Sequence, residues 1–170
     1  FCVHVRRFFQ AGHSQQIFAT KASWGPFSFV STPQELPFIK FLSRQSLPLQ
    51  VGDKVTLSEP KGSMTLEPLK LDNINLTAKA NKSLPLIAIG GGTGLSPFIS
   101  LAKAHHQQKF KLYWSYKRHS DKVLIDKYLT SCSHVQLVDD FFQENNLDSF
   151  LSLLPLDSSC SYLIAGPYVF

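Results

Sequence analysis

The sequence predicts a small antiparallel β barrel followed by an α/β half built on a parallel sheet, and three observations carry that expectation. Short strand-like runs separated by turn residues, with no helical run between them, fill the beginning of the chain. From residue 84 onward apolar runs and helical runs take turns, the pattern of βα units. Between the first of those apolar runs and the first helix stands a glycine-rich turn, Gly90-Gly91-Gly92-Thr93-Gly94. The chain accordingly divides into a barrel over 1–68, a polar linker over 69–83 and an α/β half over 84–170.

In the first part, strands are expected at Phe1–Arg7, Gln15–Thr20, Phe27–Ser31, Pro37–Ser43 and Lys54–Glu59. The turns between them are signalled by Ala11-Gly12-His13, Gly25-Pro26, Thr32-Pro33 and Val51-Gly52-Asp53. In the second part, Leu84–Ile89 is continuously apolar, as a strand buried on both faces should be. Ser96–His106 follows as a helix, with Ser96 as N-cap and Pro97 in the first turn. Strand Phe110–Ser115, helix Asp121–Ser131, strand His134–Val138, short helix Leu147–Leu154 and strand Ser161–Ala165 complete the alternation.

Composition narrows the class. The 170 residues are 44% hydrophobic and 17% charged, which fits a folded chain with a substantial core rather than a disordered or fibrous one. No stretch approaches the roughly 18 apolar residues of a membrane span. The net charge is +5, and all of the excess lies early: residues 1–84 carry ten Lys/Arg against five Asp/Glu, residues 85–170 seven against seven. Apart from Arg6-Arg7 those basic residues are scattered singly, so they give no nucleic-acid footprint. Cys2, Cys132 and Cys160 have no metal-ligand spacing and are odd in number, which predicts reduced thiols in a cytoplasmic protein without a metal centre.

Glycines at a strand-to-helix turn let the backbone approach a ligand, and the helix start behind them favours an anion. The spacing is not that of the dinucleotide fingerprint G-x-G-x-x-G, and no Lys follows Gly94 as in a P-loop. A tight turn without a ligand is the alternative, and the glycines favour ligand binding over it. In open parallel sheets ligands lie beyond the carboxyl ends of the strands. Ser115-Tyr116-Lys117-Arg118, Asp139-Asp140 and Ala165-Gly166-Pro167 reach that edge. Lys117 and Arg118 end the second strand of this half with no carboxylate before Asp121, a pattern that favours a 2′-phosphate and hence NADPH over NADH. In the barrel, Pro26-Phe27-Ser28-Phe29-Val30-Ser31-Thr32-Pro33 combines rings and hydroxyls that could flank and hydrogen-bond a flat ligand, although the residues by themselves favour a half-buried strand with solvent-facing hydroxyls.

These segments stand in a recognisable order. Phe9-Gln10-Ala11-Gly12-His13, Pro26-Phe27-Ser28 with Ser31-Thr32-Pro33, Val51-Gly52-Asp53, Gly90 to Gly94 with Ser96-Pro97-Phe98, Leu112-Tyr113-Trp114, and Leu163-Ile164-Ala165-Gly166-Pro167 follow one another as in the ferredoxin–NADP reductase superfamily. Within it the chain most resembles the NAD(P)H:flavin oxidoreductases. The resemblance implies a flavin-binding barrel and an NAD(P)-binding α/β half, with FAD, FMN or riboflavin as flavin and NADPH or NADH as nucleotide. It implies that Ser28 is catalytic, hydrogen-bonded near the flavin N5. Pro26, Phe27, Phe29, Ser31 and Thr32 would bind the flavin with it. Gly91, Gly92, Thr93 and Gly94 would hold the nicotinamide–ribose or the pyrophosphate, Lys117 and Arg118 the adenosine ribose or its phosphate, and Ala165, Gly166 and Pro167 the nicotinamide side. The expected partners are these small molecules and an electron-acceptor protein, and the expected state is a monomer.

The departures from the family are specific. Gly25 stands where an Arg usually neutralises the flavin phosphate, the Arg44–Val51 connection lacks a phosphate-gripping helix start, and Ala165 replaces a Cys common before Gly-Pro. They imply weak, exchangeable flavin. Both ends also look short against the family, so the chain is expected to be incomplete. Two other readings stay open: the reductase module of a larger electron-transfer protein, and a remnant that binds nucleotide without turning it over.

Overall fold

The computed structural model describes residues 2–4, 14–19, 22–44, 46–61, 64, 86–105, 110–116, 119–130, 132, 135–139, 152, 154 and 160–166. The assigned linker and most of the expected Leu147–Leu154 helix lie outside them.

The first half is antiparallel throughout. Strands β1 (Cys2–His4), β2 (Ser14–Ala19), β3 (Ala22–Ser28), β4 (Phe38–Lys40) and β5 (Thr56–Leu57) form a pair, β1-β4, and a triplet, β3-β2-β5. A bridge between Phe29 and Phe41 and a hydrogen bond from the Val30 N–H to the Lys40 carbonyl (2.9 Å) join the end of β3 to the end of β4. The two sheets thereby wrap around one small core of Phe29, Ile39 and Phe41, with Phe27, Leu36, Val55 and Leu57 against it.

Gly25-Pro26 marks no turn, contrary to the sequence reading, and lies inside β3. The ladder steps from Ile17↔Trp24 to Gln15↔Phe27, so Gln16 faces two residues of β3. At such a bulge Pro26 needs no N–H, and Gly25 takes the positive φ of 114° that the kink requires.

The second half has a four-stranded parallel sheet in the order β8-β7-β6-β9, made of β6 (Leu86–Gly91), β7 (Phe110–Ser115), β8 (Val135–Asp139) and β9 (Ser161–Ala165). Every residue of β6 is buried, as its unbroken apolar run anticipates. Alternation sends Leu86 and Ala88 to the face covered by helix α1 (Leu95–Ala104), where they meet Leu95, Phe98, Leu112 and Trp114. Ile87, Ile89 and Tyr113 go to the other face, against Leu154. A second helix, α2 (Val123–Tyr128), follows a short 3-10 turn over His119–Lys122.

Ser96 does not cap α1. Gly92–Gly94 forms a 3-10 turn that leads directly into the helix, Gly94 takes the N-cap position, and Ser96 is buried inside the first turn beside Pro97.

The halves are joined through the segment after β3. Val30 is buried in the α/β core, and Ser100 of α1 donates from Oγ to the Ser31 carbonyl at 2.7 Å. Lys103 donates to the Val30 carbonyl (3.4 Å) and pairs with Glu35 (3.4 Å), which also accepts from Lys40 Nζ (2.9 Å) and the Thr32 N–H (2.8 Å). Burial alone would raise the Glu35 carboxyl, but the bonds from Lys40 and Thr32 and the charge of Lys103 outweigh it and hold it below its ordinary value of 4.5. Its contribution is therefore complete above that value and is lost as the pH falls through the lowered one. Glu35→Gln is expected to cost about 1–2 kcal/mol at neutral pH, a charged hydrogen bond discounted for solvent screening. Urea midpoints of the two proteins should converge as the pH falls through that lowered value and the Glu35 carboxylate is protonated. A constant gap between them across that range would show that the ion cluster contributes nothing.

Candidate functional site

The carboxyl ends of the four parallel strands make one edge. The register sets Ala165, Gly90, Trp114 and Asp139 in a row across the sheet, and the glycine turn rises from its middle. Gly94 packs on the end of β9 so closely that a Cβ there would lie 2.2 Å from the Ala165 carbonyl oxygen and 2.9 Å from the Gly166 Cα. The sequence-read residues Gly91, Gly92, Thr93, Gly94, Ala165 and Gly166 thus lie together. At Gly94 the missing side chain makes room for protein backbone.

The turn is pinned from below as well. Trp114, fully buried, donates from Nε1 to the Gly92 carbonyl at 2.9 Å, and that oxygen also accepts the Leu95 N–H. Gly92 has a φ of 54°, and Thr93 is exposed at the crest. Lys117, Arg118 and Pro167 lie outside the described residues.

On the barrel side, Pro26 is exposed and Phe27 and Ser28 are half-buried. Phe27 stacks edge-on against Phe41 at 6.3 Å and shares the barrel-core face with Phe29. Strand alternation then puts Ser28 on the opposite face, the one that continues to Val30 and so toward the α/β half. Phe29, Ser31 and Thr32 are put to other use. Phe29 is walled into the barrel core, the Ser31 hydroxyl accepts from the Lys40 N–H (3.0 Å), and Thr32 is buried at the joint. A flavin ring would find Pro26 and Ser28 accessible, and the other three side chains already occupied.

One residue was missed by sequence reasoning. Arg44 brings its guanidinium onto the glycine turn, where a Cβ on Gly92 would lie 2.9 Å from Nη2, and it pairs with Asp121 at 3.2 Å. The partners are 77 residues apart, and no local spacing signals such a meeting.

Among the described residues no three His, Cys, Asp or Glu side chains gather as a metal site, and no helix is long and apolar enough to cross a membrane. Cys132 is a buried free thiol.

An antiparallel barrel joined to a parallel nucleotide-type sheet, with a glycine turn at the sheet edge, is the architecture of the ferredoxin reductase-like proteins. Comparison with known proteins agrees. The chain has 17% identity and a TM-score of 0.65 to flavohemoglobin from Malassezia yamatoensis, a structure with bound FAD and heme, over 95% of this chain and 45% of that one. It has 14% identity and a TM-score of 0.53 to the ferredoxin-NADP+ reductase of Plasmodium falciparum, over 81% of this chain and 59% of that one. The fold is that of the ferredoxin reductase-like family, as the sequence resemblance implied. In sequence, the chain is 28% identical over 117 residues to the reductase component of propane 2-monooxygenase from Mycolicibacterium goodii, and 29% identical over 85 residues to that from Mycolicibacterium smegmatis. These matches take in 61% and 48% of the chain, which spans only 30% and 21% of the two relatives' own lengths. No protein-family model matches.

Proposed function

We propose that the chain transfers a hydride from NADPH or NADH to a flavin and passes the electrons to an acceptor protein. The observation that supports this best is the shared joint: Ser28 stands on the strand face that runs into Val30, and Val30 is sunk in the α/β core beside the helix of the glycine turn. A flavin along Pro26–Ser28 and a nicotinamide over Gly91–Gly94 and Ala165–Gly166 would then meet in one cleft.

The two bound rings supply the two-electron chemistry, and the protein supplies orientation and exclusion of water. In this reading Ser28 is the catalytic residue, its hydroxyl hydrogen-bonding the flavin near N5. Lys117 and Arg118 meet the adenosine ribose or its phosphate, and Pro167 closes the nicotinamide side. With Gly25 in place of a phosphate-binding Arg, the flavin is exchangeable, and FAD, FMN or riboflavin can serve. The likeness to reductase components supports a protein acceptor, and it also supports a second reading, the reductase module of a larger electron-transfer protein. A cytoplasmic monomer completes the proposal.

Oxidation of NADPH and NADH is followed with each flavin added in excess. Activity well above the free-flavin background is expected, and Ser28→Ala should lower kcat about tenfold to hundredfold, the scale of one hydrogen bond to a reacting group. Oxidation at the background rate with every flavin would overturn the proposal.

A further inference from the structure

Arg44 leaves the barrel half after the Phe41 bridge, and its guanidinium comes to rest on the glycine turn of the other half. All three of its terminal atoms lie close to where a Gly92 side chain would stand, Nη2 at 2.9 Å, Cζ at 3.1 Å and Nη1 at 3.4 Å, so the planar group lies against the turn. Yet the turn offers it no acceptor at Gly92, whose carbonyl is already taken by Trp114 Nε1 and the Leu95 N–H. Among the described residues its hydrogen-bonding partner is Asp121 Oδ2 at 3.2 Å, with the Arg44 side chain 48% exposed. A guanidinium has five N–H donors, and a single half-exposed contact to a carboxylate is a weak hold.

We infer that Arg44 is a phosphoryl-binding residue of the glycine turn, parked on Asp121 and exchanged onto a phosphoryl group when a nucleotide binds. A phosphoryl group carries more charge than a carboxylate and fits the guanidinium fork through two parallel bonds, so it can displace Asp121. Gly92 is what admits the cation here, because a side chain at that position would meet it. The inference rests on the proposed nucleotide site for its biological ligand, which is the pyrophosphate of the nicotinamide dinucleotide or the phosphate of a flavin.

The test is calorimetric titration of the 170-residue chain, as wild type, Arg44→Ala and Asp121→Asn, with inorganic pyrophosphate, NADP+, nicotinamide riboside, FMN and riboflavin. Arg44→Ala is expected to weaken pyrophosphate binding about tenfold to hundredfold, and to leave the phosphate-free riboflavin and nicotinamide riboside unchanged. Asp121→Asn is expected to tighten pyrophosphate a few-fold by removing the competitor. A selective loss of NADP+ affinity assigns the phosphoryl group to the dinucleotide, and a selective loss of FMN affinity assigns it to the flavin. Circular dichroism melts establish that the variants fold, and Arg44→Lys, which keeps the charge without the fork, should fall between wild type and Arg44→Ala. The inference is overturned if wild type does not bind pyrophosphate, if Arg44→Ala binds it equally well, or if Asp121→Asn leaves it unchanged. These outcomes are independent of turnover. Arg44-dependent pyrophosphate binding without hydride transfer overturns the oxidoreductase reading alone, and hydride transfer with no Arg44 dependence overturns this one alone.

Discussion

Trp114→Ala is expected to cost about 3–5 kcal/mol of stability, a large part of the roughly 5–15 kcal/mol that holds a domain folded. Trp114, on β7, is fully buried in the cluster that contains Leu86, Phe98 and Leu112. Truncation opens a cavity in the middle of that cluster and releases the Gly92 carbonyl from the indole N–H. Trp114→Phe separates the two effects, since it keeps most of the packing and loses the hydrogen bond, worth about 0.5–1.5 kcal/mol. Urea unfolding followed by circular dichroism measures both. A loss below about 1 kcal/mol for Trp114→Ala would show that the indole is not packed as described.

Gly94→Ala should be the most damaging small substitution in the glycine turn. Its φ of −60° suits any residue, so the penalty is steric alone. The added methyl would lie 2.2 Å from the Ala165 carbonyl oxygen and 2.6 Å from its carbon, and backbone in a sheet cannot swing aside as a side chain can. Strand β9 has to move away from the turn, at about 3 kcal/mol or more on the scale of overpacked cores. Gly92→Ala makes the comparison. There the obstacle is the flexible end of Arg44, and the cost is mainly that of a positive φ, about 1–2 kcal/mol. Thermal melts should rank Gly94→Ala below Gly92→Ala, and amide exchange in the former should rise first along β9. The opposite ranking would mean that β9 does not abut the turn.

The α/β half was largely legible in the sequence because its elements are set by local periodicity. Strands Phe110–Ser115 and Ser161–Ala165 fall where the apolar runs place them, and Leu86–Gly91 differs from expectation by two residues at each end. The barrel was legible in kind and less so in detail. Its strands are short and depend on partners far along the chain, so Gly25-Pro26 reads as a turn although the ladder continues past it through a bulge. Ser96 reads as a cap because it precedes a helical run, yet the Gly92–Gly94 turn already starts the helix. The least legible feature was the double duty of the Phe27–Pro33 segment. Its hydroxyls and rings suggest a ligand surface, but the Ser31 carbonyl accepts from Ser100 in the joint between the halves, 69 residues away, and nothing local in the sequence announces that partner. Arg44 on Gly92 was hidden for the same reason.

Hydride transfer itself is read by mixing the protein, loaded with flavin under anaerobic conditions, with NADPH, and following the visible flavin absorbance. A single bleaching phase, much faster than that of free flavin and slowed in Ser28→Ala, is the expected result. Bleaching no faster than in protein-free flavin, with the fold intact by circular dichroism, would contradict the proposed function.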